Sequence, residues 1–191
     1  MFHGLGSKET VYMNKSFIAV LAALAPALVA CADSAEVDET EGAVDLSTQS
    51  GTLGRRTIVD LAAAAVATAP YLDINAALAD GYVDSGLPCI DGQGFHFINN
   101  ALVGTNDIRH PQLLVYQPRR NGSLKLVSLE WLTPVDETNA NNPPTLFGQT
   151  FHGPNMVDGV PFPFFALHVW LWQVNPNGLF EDTTPRFTCP G

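Results

Sequence analysis

The sequence predicts an α+β domain, with a helical segment packed on an antiparallel β-sheet that is strongly curved or closed into a small barrel. Two observations carry this expectation. Residues 55–81 are rich in Ala and Leu and carry helix punctuation. From Gly92 onward the apolar residues fall into short runs separated by Gly, Pro and Asn. Helices first and strands afterwards, without regular alternation, separate this pattern from the parallel α/β class.

The elements follow in order. Thr57 with Asp60 has the form of a capping box with Asp in place of Glu, and Ile58–Ala69 favours helix by composition. Pro70 interrupts that helix. Asp73 is placed to cap a second helix over Ile74–Asp80, with Gly81 as its stop. The apolar run beginning at Leu61 is far too short to cross a membrane. Strands are expected at Gly94–Asn99, Gln112–Gln117, Leu124–Pro134 and Phe164–Gln173. Asn121-Gly122 between the second and third is a hairpin turn signal. Residues 147–162 are expected to form a long ordered loop, and Thr184–Phe187 an edge strand. The aromatic run from Phe162 to Trp172 is long enough to be the central strand.

Composition narrows the partners. The chain has a formal net charge of −10. So acidic a protein repels phosphate backbones, which excludes nucleic acid as a natural partner, and it has no basic surface for anionic lipid. No G-x-S-x-G nucleophile motif, Walker loop or dinucleotide fingerprint is present.

The N-terminal region has its own logic. Met13-Asn14-Lys15 is a short positive segment, Ser16–Ala30 an apolar run broken by Pro26, and Leu28-Val29-Ala30-Cys31 its end. This order resembles the signal and lipobox of bacterial lipoproteins. The resemblance implies a signal peptide over 13–30, cleavage before Cys31, and lipidation of Cys31. Membrane contact then comes through that lipid, on the extracytoplasmic side of the cell envelope, and at the outer membrane if the host has one. Residues 1–12 precede the signal awkwardly, and translation is expected to start at Met13. Residues 31–54 carry six acidic side chains and no Lys, Arg or aromatic residue, so they are expected to form a disordered tether. Such a tether spans about 25–30 Å. Residues 55–191 are then one domain. Within it Cys89 and Cys189 form an even pair in an exported context, which predicts a disulfide.

The candidate site emerges from strand phase. Alternate residues of a strand share a face. Gly94, His96 and Ile98 share one; so do Ser128, Glu130 and Leu132; so do Ala166, His168 and Trp170. Each polar residue follows a small residue by two positions and precedes a bulky one by two. The small residues are expected to leave space beside the polar groups and the bulky ones to floor it, giving an apolar-walled pocket with convergent polar groups. His152, in the loop before the last strand, is placed to fold over the mouth. Three His and a Glu suit zinc, iron or manganese, and two His with Glu match the facial arrangement of non-haem iron sites. Three readings follow. In the first, His96, Glu130, His152 and His168 are metal ligands, or Glu130 is a base beside a three-His ion, acting on a small organic molecule. In the second, the pocket binds ligand or metal without catalysis, or Glu130 and His168 work as a metal-free acid–base pair. In the third, the residues are structural, with Glu130 paired to Arg109 or Arg186. His110, beside Pro111, reads as a surface residue.

The segments Ala76–Tyr82, Gly94–Asn99, Leu114–Pro118, Leu126–Glu130, Leu146–Gly153 and Leu167–Trp172 resemble a group of uncharacterised exported bacterial proteins. That resemblance spans most of residues 76–189 and implies export but no particular activity. The His/Glu set is also loosely similar to cupin metal sites, from which it departs in lacking paired histidines on one strand.

Overall fold

A computed structural model of the protein describes residues 53–190. The signal over 13–30, the preceding residues 1–12, Cys31 and all but the last two residues of the acidic segment lie outside the described residues. The remainder is α+β. It opens with helix α1 (Arg55–Thr68), a 3-10 turn (Ala69–Leu72) and a short helix α2 (Ile74–Ala79). Strands β1 (Val83–Asp84), β2 (Phe95–Ile98), β3 (Leu113–Pro118) and β4 (Leu124–Pro134) follow. A small two-stranded hairpin comes next, β5 (Thr145–Leu146) with β6 (Gln149–Thr150). The chain then enters β7 (His152–Asn155) and β8 (Phe164–Val169). The main sheet has six strands in the order β1-β2-β3-β4-β8-β7, every pair antiparallel. It is not closed into a barrel. Among the described residues no helix is long and apolar enough to cross a membrane.

Several expectations change in detail. The first helix begins at Arg55 with Gly54 at its N-cap and no side-chain cap. Thr57 lies inside the helix, and its hydroxyl donates to the Phe147 carbonyl at 3.1 Å, so a tertiary partner takes the place of a capping role. Asp73 does cap α2, accepting from the Asn75 amide at 2.9 Å. The stretch 147–162 is not all loop: it contains β6 and β7. Thr184–Phe187 is not a strand. The aromatic run is not central either. β3 and β4 hold the middle of the sheet, and β8 ends at Val169, where the Trp170 amide turns to the Leu179 carbonyl at 2.9 Å.

One face of the sheet is covered by α1. Leu61, Ala64 and Thr68 form its buried stripe at helical spacing. They meet a core that includes Leu114, Tyr116, Leu129, Trp131, Leu167 and Val169, most with no exposure at all. Each large apolar side chain so buried contributes about 1.5–3 kcal/mol. Three polar tips stitch the layers: Tyr116 donates to the Tyr71 carbonyl (2.7 Å), Tyr82 to the Pro111 carbonyl (2.6 Å), and the Trp172 indole to the Thr68 hydroxyl (3.3 Å). Tyr71 itself donates to the Asp80 carboxylate. Burial, and then that hydrogen bond, raise its pKa to about 12. Because the folded pKa exceeds the unfolded one, this contribution to stability is complete below about pH 10 and lost as pH rises towards about 12. Replacing Tyr71 with Phe should therefore flatten the alkaline end of the Tm-versus-pH curve over that window.

The opposite face carries the other alternate residues, and a β-bulge fixes which they are. Val115 pairs with Ser128 but Tyr116 pairs with Leu126, so Val127 is the extra residue. Leu126 thereby joins the helix-side core, while Ser128, Glu130 and Leu132 face away from it.

Candidate functional site

The site lies on the sheet face away from α1, at the registered positions of β2, β4 and β8. Glu130 is directly opposite His168 across β4 and β8, and opposite Leu113 across β3 and β4. His96 enters from β2, opposite Val115. All three side chains are almost fully buried. The Glu130 Oε2 atom lies 3.5 Å from His96 Nε2 and 3.6 Å from His168 Nε2. The two imidazoles stand edge to face, with ring centroids 6.5 Å apart. One ligand atom from each residue lies within 4.8 Å of the other two.

The small neighbours have differing local reasons. Gly94 has φ +139°, and a Cβ there would sit 2.3 Å from the Tyr116 carbonyl oxygen. It is small because β3 occupies that space, not because the space is open. Ser128 is buried, with the Val169 carbonyl 3.3 Å from its hydroxyl. Ala166 lines the cavity. Of the bulky residues, Trp170 packs with Val115 and Val127 in a small buried cluster and does not line the cavity.

His152 stands apart from the trio. It is on edge strand β7, registered opposite Ala166, and its side chain is 44% exposed. Its Nδ1 lies 2.8 Å from Asp182 Oδ1, and the same oxygen lies 3.4 Å from His168 Nδ1. A three-His centre with Glu130 as a separate base is thus not what the structure assembles. The inner set is His96, Glu130 and His168. His152 reaches it only through Asp182, a residue the strand pattern did not indicate. Asp182 sits on the chain beyond β8, where the Trp170 indole donates to the Glu181 carbonyl at 2.6 Å and Thr184 N to the Gly92 carbonyl at 2.8 Å. Its only sequence signal is an acidic residue near the end of a turn-rich tail. Glu130 is met by the two histidines, not by the arginines proposed for it. His110 is exposed and lies 2.9 Å from Asp107, as a surface residue.

Burial holds the His96 imidazole below its usual pKa, against the pull of Glu130. Burial also acts on His168, but the carboxylates of Glu130 and Asp182 outweigh it and raise its pKa. Burial would raise Asp182; hydrogen bonds with His168 and His152 override that and lower it. Even so, polar capacity is left over. His96 Nδ1, Glu130 Oε2 and His168 Nε2 are buried without a hydrogen bond, while His168 Nδ1 faces Asp182 at 3.4 Å. Buried polar atoms nearly always have partners, so three such atoms on three neighbouring residues mark a place built for something more.

The geometry suits a cation. Ligand atoms on bonds of about 2.1 Å at tetrahedral angles lie about 3.4 Å apart. The two Glu130–His separations are close to that. Two imidazole nitrogens and one carboxylate oxygen suit zinc, iron or manganese, whereas calcium and magnesium prefer all-oxygen shells.

Above the trio lies a cavity of ≈ 660 Å³. Apolar side chains line much of it, Ile98, Leu113 and Leu132 from the sheet and Val157, Val160 and Phe162 from the β7–β8 connection. Cys89 and Cys189 lie at disulfide distance, Sγ–Sγ 2.09 Å and Cα–Cα 5.9 Å, joining the approach to β2 with the tail that carries Asp182. No protein-family model matches the chain, and no curated protein or solved structure shows significant similarity to it.

Proposed function

We propose that the domain binds a divalent first-row metal through His96, Glu130 and His168, at the base of a pocket for a small organic molecule. The observation that carries this reading is the convergence of three buried residues, one ligand atom of each within 4.8 Å of the other two, with Glu130 Oε2 and His168 Nε2 left unpartnered. Three protein ligands leave at least one coordination position for water or ligand, the mark of a reactive rather than a structural ion. Such an ion supplies Lewis acidity to a bound oxygen. The test is metal analysis of the purified protein by mass spectrometry after dialysis against zinc, ferrous and manganous ions. About one ion per chain is expected; a metal content indistinguishable from a buffer control overturns the reading.

Asp182 is a positioning residue in this scheme. By facing His168 Nδ1 it turns Nε2 towards Glu130, as outer carboxylates do for metal-bound histidines. Asp182→Asn should weaken metal affinity about 10–100-fold with little change in the Tm of the metal-free protein. Equal affinity in titrations of the two proteins would remove Asp182 from the site.

A metal-free reading is favoured by one observation, the imidazole of His168 lying between two carboxylates. There Glu130 and His168 serve as acid and base towards a bound molecule. It predicts no metal retention at all, with ligand binding unaffected by chelators.

We further infer that the chain is exported and held at the membrane by a lipid on Cys31. The signal-like order of residues 13–31 supports this. Cys31→Ser should release the protein from the membrane fraction or leave the precursor uncut. Unchanged processing and fractionation would rule the anchor out.

A further inference from the structure

The cavity above the trio has a composition that selects its occupant. No Lys or Arg lines it, while Asp84, Glu130 and Asp182 do. A carboxylate or phosphate on a ligand would therefore meet acidic groups and find no basic clamp. The apolar lining is different in kind. Ile98, Val103, Val157, Val160 and Phe162 are only partly buried, and they pack around the buried Leu113, Leu132, Phe164 and Ala166. Apolar side chains left half-wet inside a concave surface gain by being covered, at about 25 cal/mol per Å². The volume falls within the range of about 300–1,000 Å³ found for small-molecule pockets. Among these apolar groups, the unpartnered Glu130 Oε2 and His168 Nε2 atoms offer polar contacts to one group of an occupant.

We propose that this cavity takes a largely apolar organic molecule without an anionic group, its apolar body against the β7–β8 connection and one polar group towards Glu130 and His168. The idea deepens the metal-site reading and rests on it only for what the polar group meets.

Two probes matched in shape separate the possibilities: 2-naphthalenemethanol and 2-naphthoate, titrated into the EDTA-treated protein by calorimetry. The alcohol should bind, and the carboxylate should bind at least about tenfold more weakly, because its charge would be desolvated beside Asp84, Glu130 and Asp182 with no Lys or Arg to clamp it. Val160→Trp and Val157→Trp, which fill the apolar wall from the connection, should lose the alcohol while keeping the wild-type metal content. The proposal is overturned if the alcohol does not bind the wild-type protein, if the carboxylate binds as well or better, or if both filled variants fold and bind the alcohol like the wild type. Binding of the alcohol by a protein that takes up no metal would defeat the metal-site reading and leave this one standing.

Discussion

Glu130→Gln should lose the metal while keeping the fold. Glutamine preserves the shape of the side chain but replaces an anionic oxygen with a neutral amide, a poor ligand for a divalent ion. The loss of affinity should exceed the about 10–100-fold typical of outer-sphere changes. His168→Ala should do the same. A second variant separates a site from a scaffold. Replacing the trio together, as His96→Leu, Glu130→Met and His168→Leu, removes every unpartnered polar atom. Buried ionic groups exchanged for well-packed apolar ones are often neutral or stabilising, by about 1–4 kcal/mol. The triple variant should thus fold at least as stably as the metal-free protein and bind no ion. If instead it unfolds, and Glu130→Gln keeps the full metal content, the trio is scaffold rather than site. Metal analysis with calorimetric Tm values reads both outcomes.

Loss of the Cys89–Cys189 link should be the largest single blow to stability. The two cysteines are 100 residues apart. A closed loop of that size is worth about 4–5 kcal/mol in the chain-entropy view. The paired change Cys89→Ser and Cys189→Ser should lower Tm by about 10–20 °C. The tail is also held by hydrogen bonds, from Cys189 N to Asp91 (2.8 Å) and from Gly92 N to the Phe187 carbonyl (3.2 Å), so residual order there is expected. An unchanged Tm, or two free thiols found by alkylation and mass spectrometry of the purified protein, would show that no bond forms.

The contrast between what the sequence foretold and what it hid has physical causes. The trio was legible because strands have a strict period of two, and each of its members lies within a strand. The bulge at Val127 did no harm to that inference, since it interrupts β4 before Ser128, and all positions used lie beyond it. The inference about space was less sound. Gly94 is small to admit the backbone of β3, a tertiary fact invisible in β2 alone. Asp182 was hidden because nothing periodic governs a turn-rich tail. Its place is set by contacts with Trp170 and Gly92. The start of α1 was misjudged because Thr57 finds its partner 90 residues away, at Phe147. Likewise the long stretch after Phe147 hid β6 and β7. Both are short, rich in exposed residues, and recognisable only from the strands they pair with.

The arrangement of the trio also bears on when the protein can acquire an ion. His96, Glu130 and His168 come from three different strands, and no hairpin carries two of them. An unfolded chain therefore offers no local chelate, unlike a protein whose ligands sit a turn apart on one helix. During synthesis such a chain has little means of capturing a metal prematurely, or of trapping the wrong one in a half-formed site. If the trio holds an ion as proposed, loading is a late event that reports on completed sheet assembly. Ion occupancy would then count finished molecules, and binding that occurs only in the native state would strengthen that state in turn.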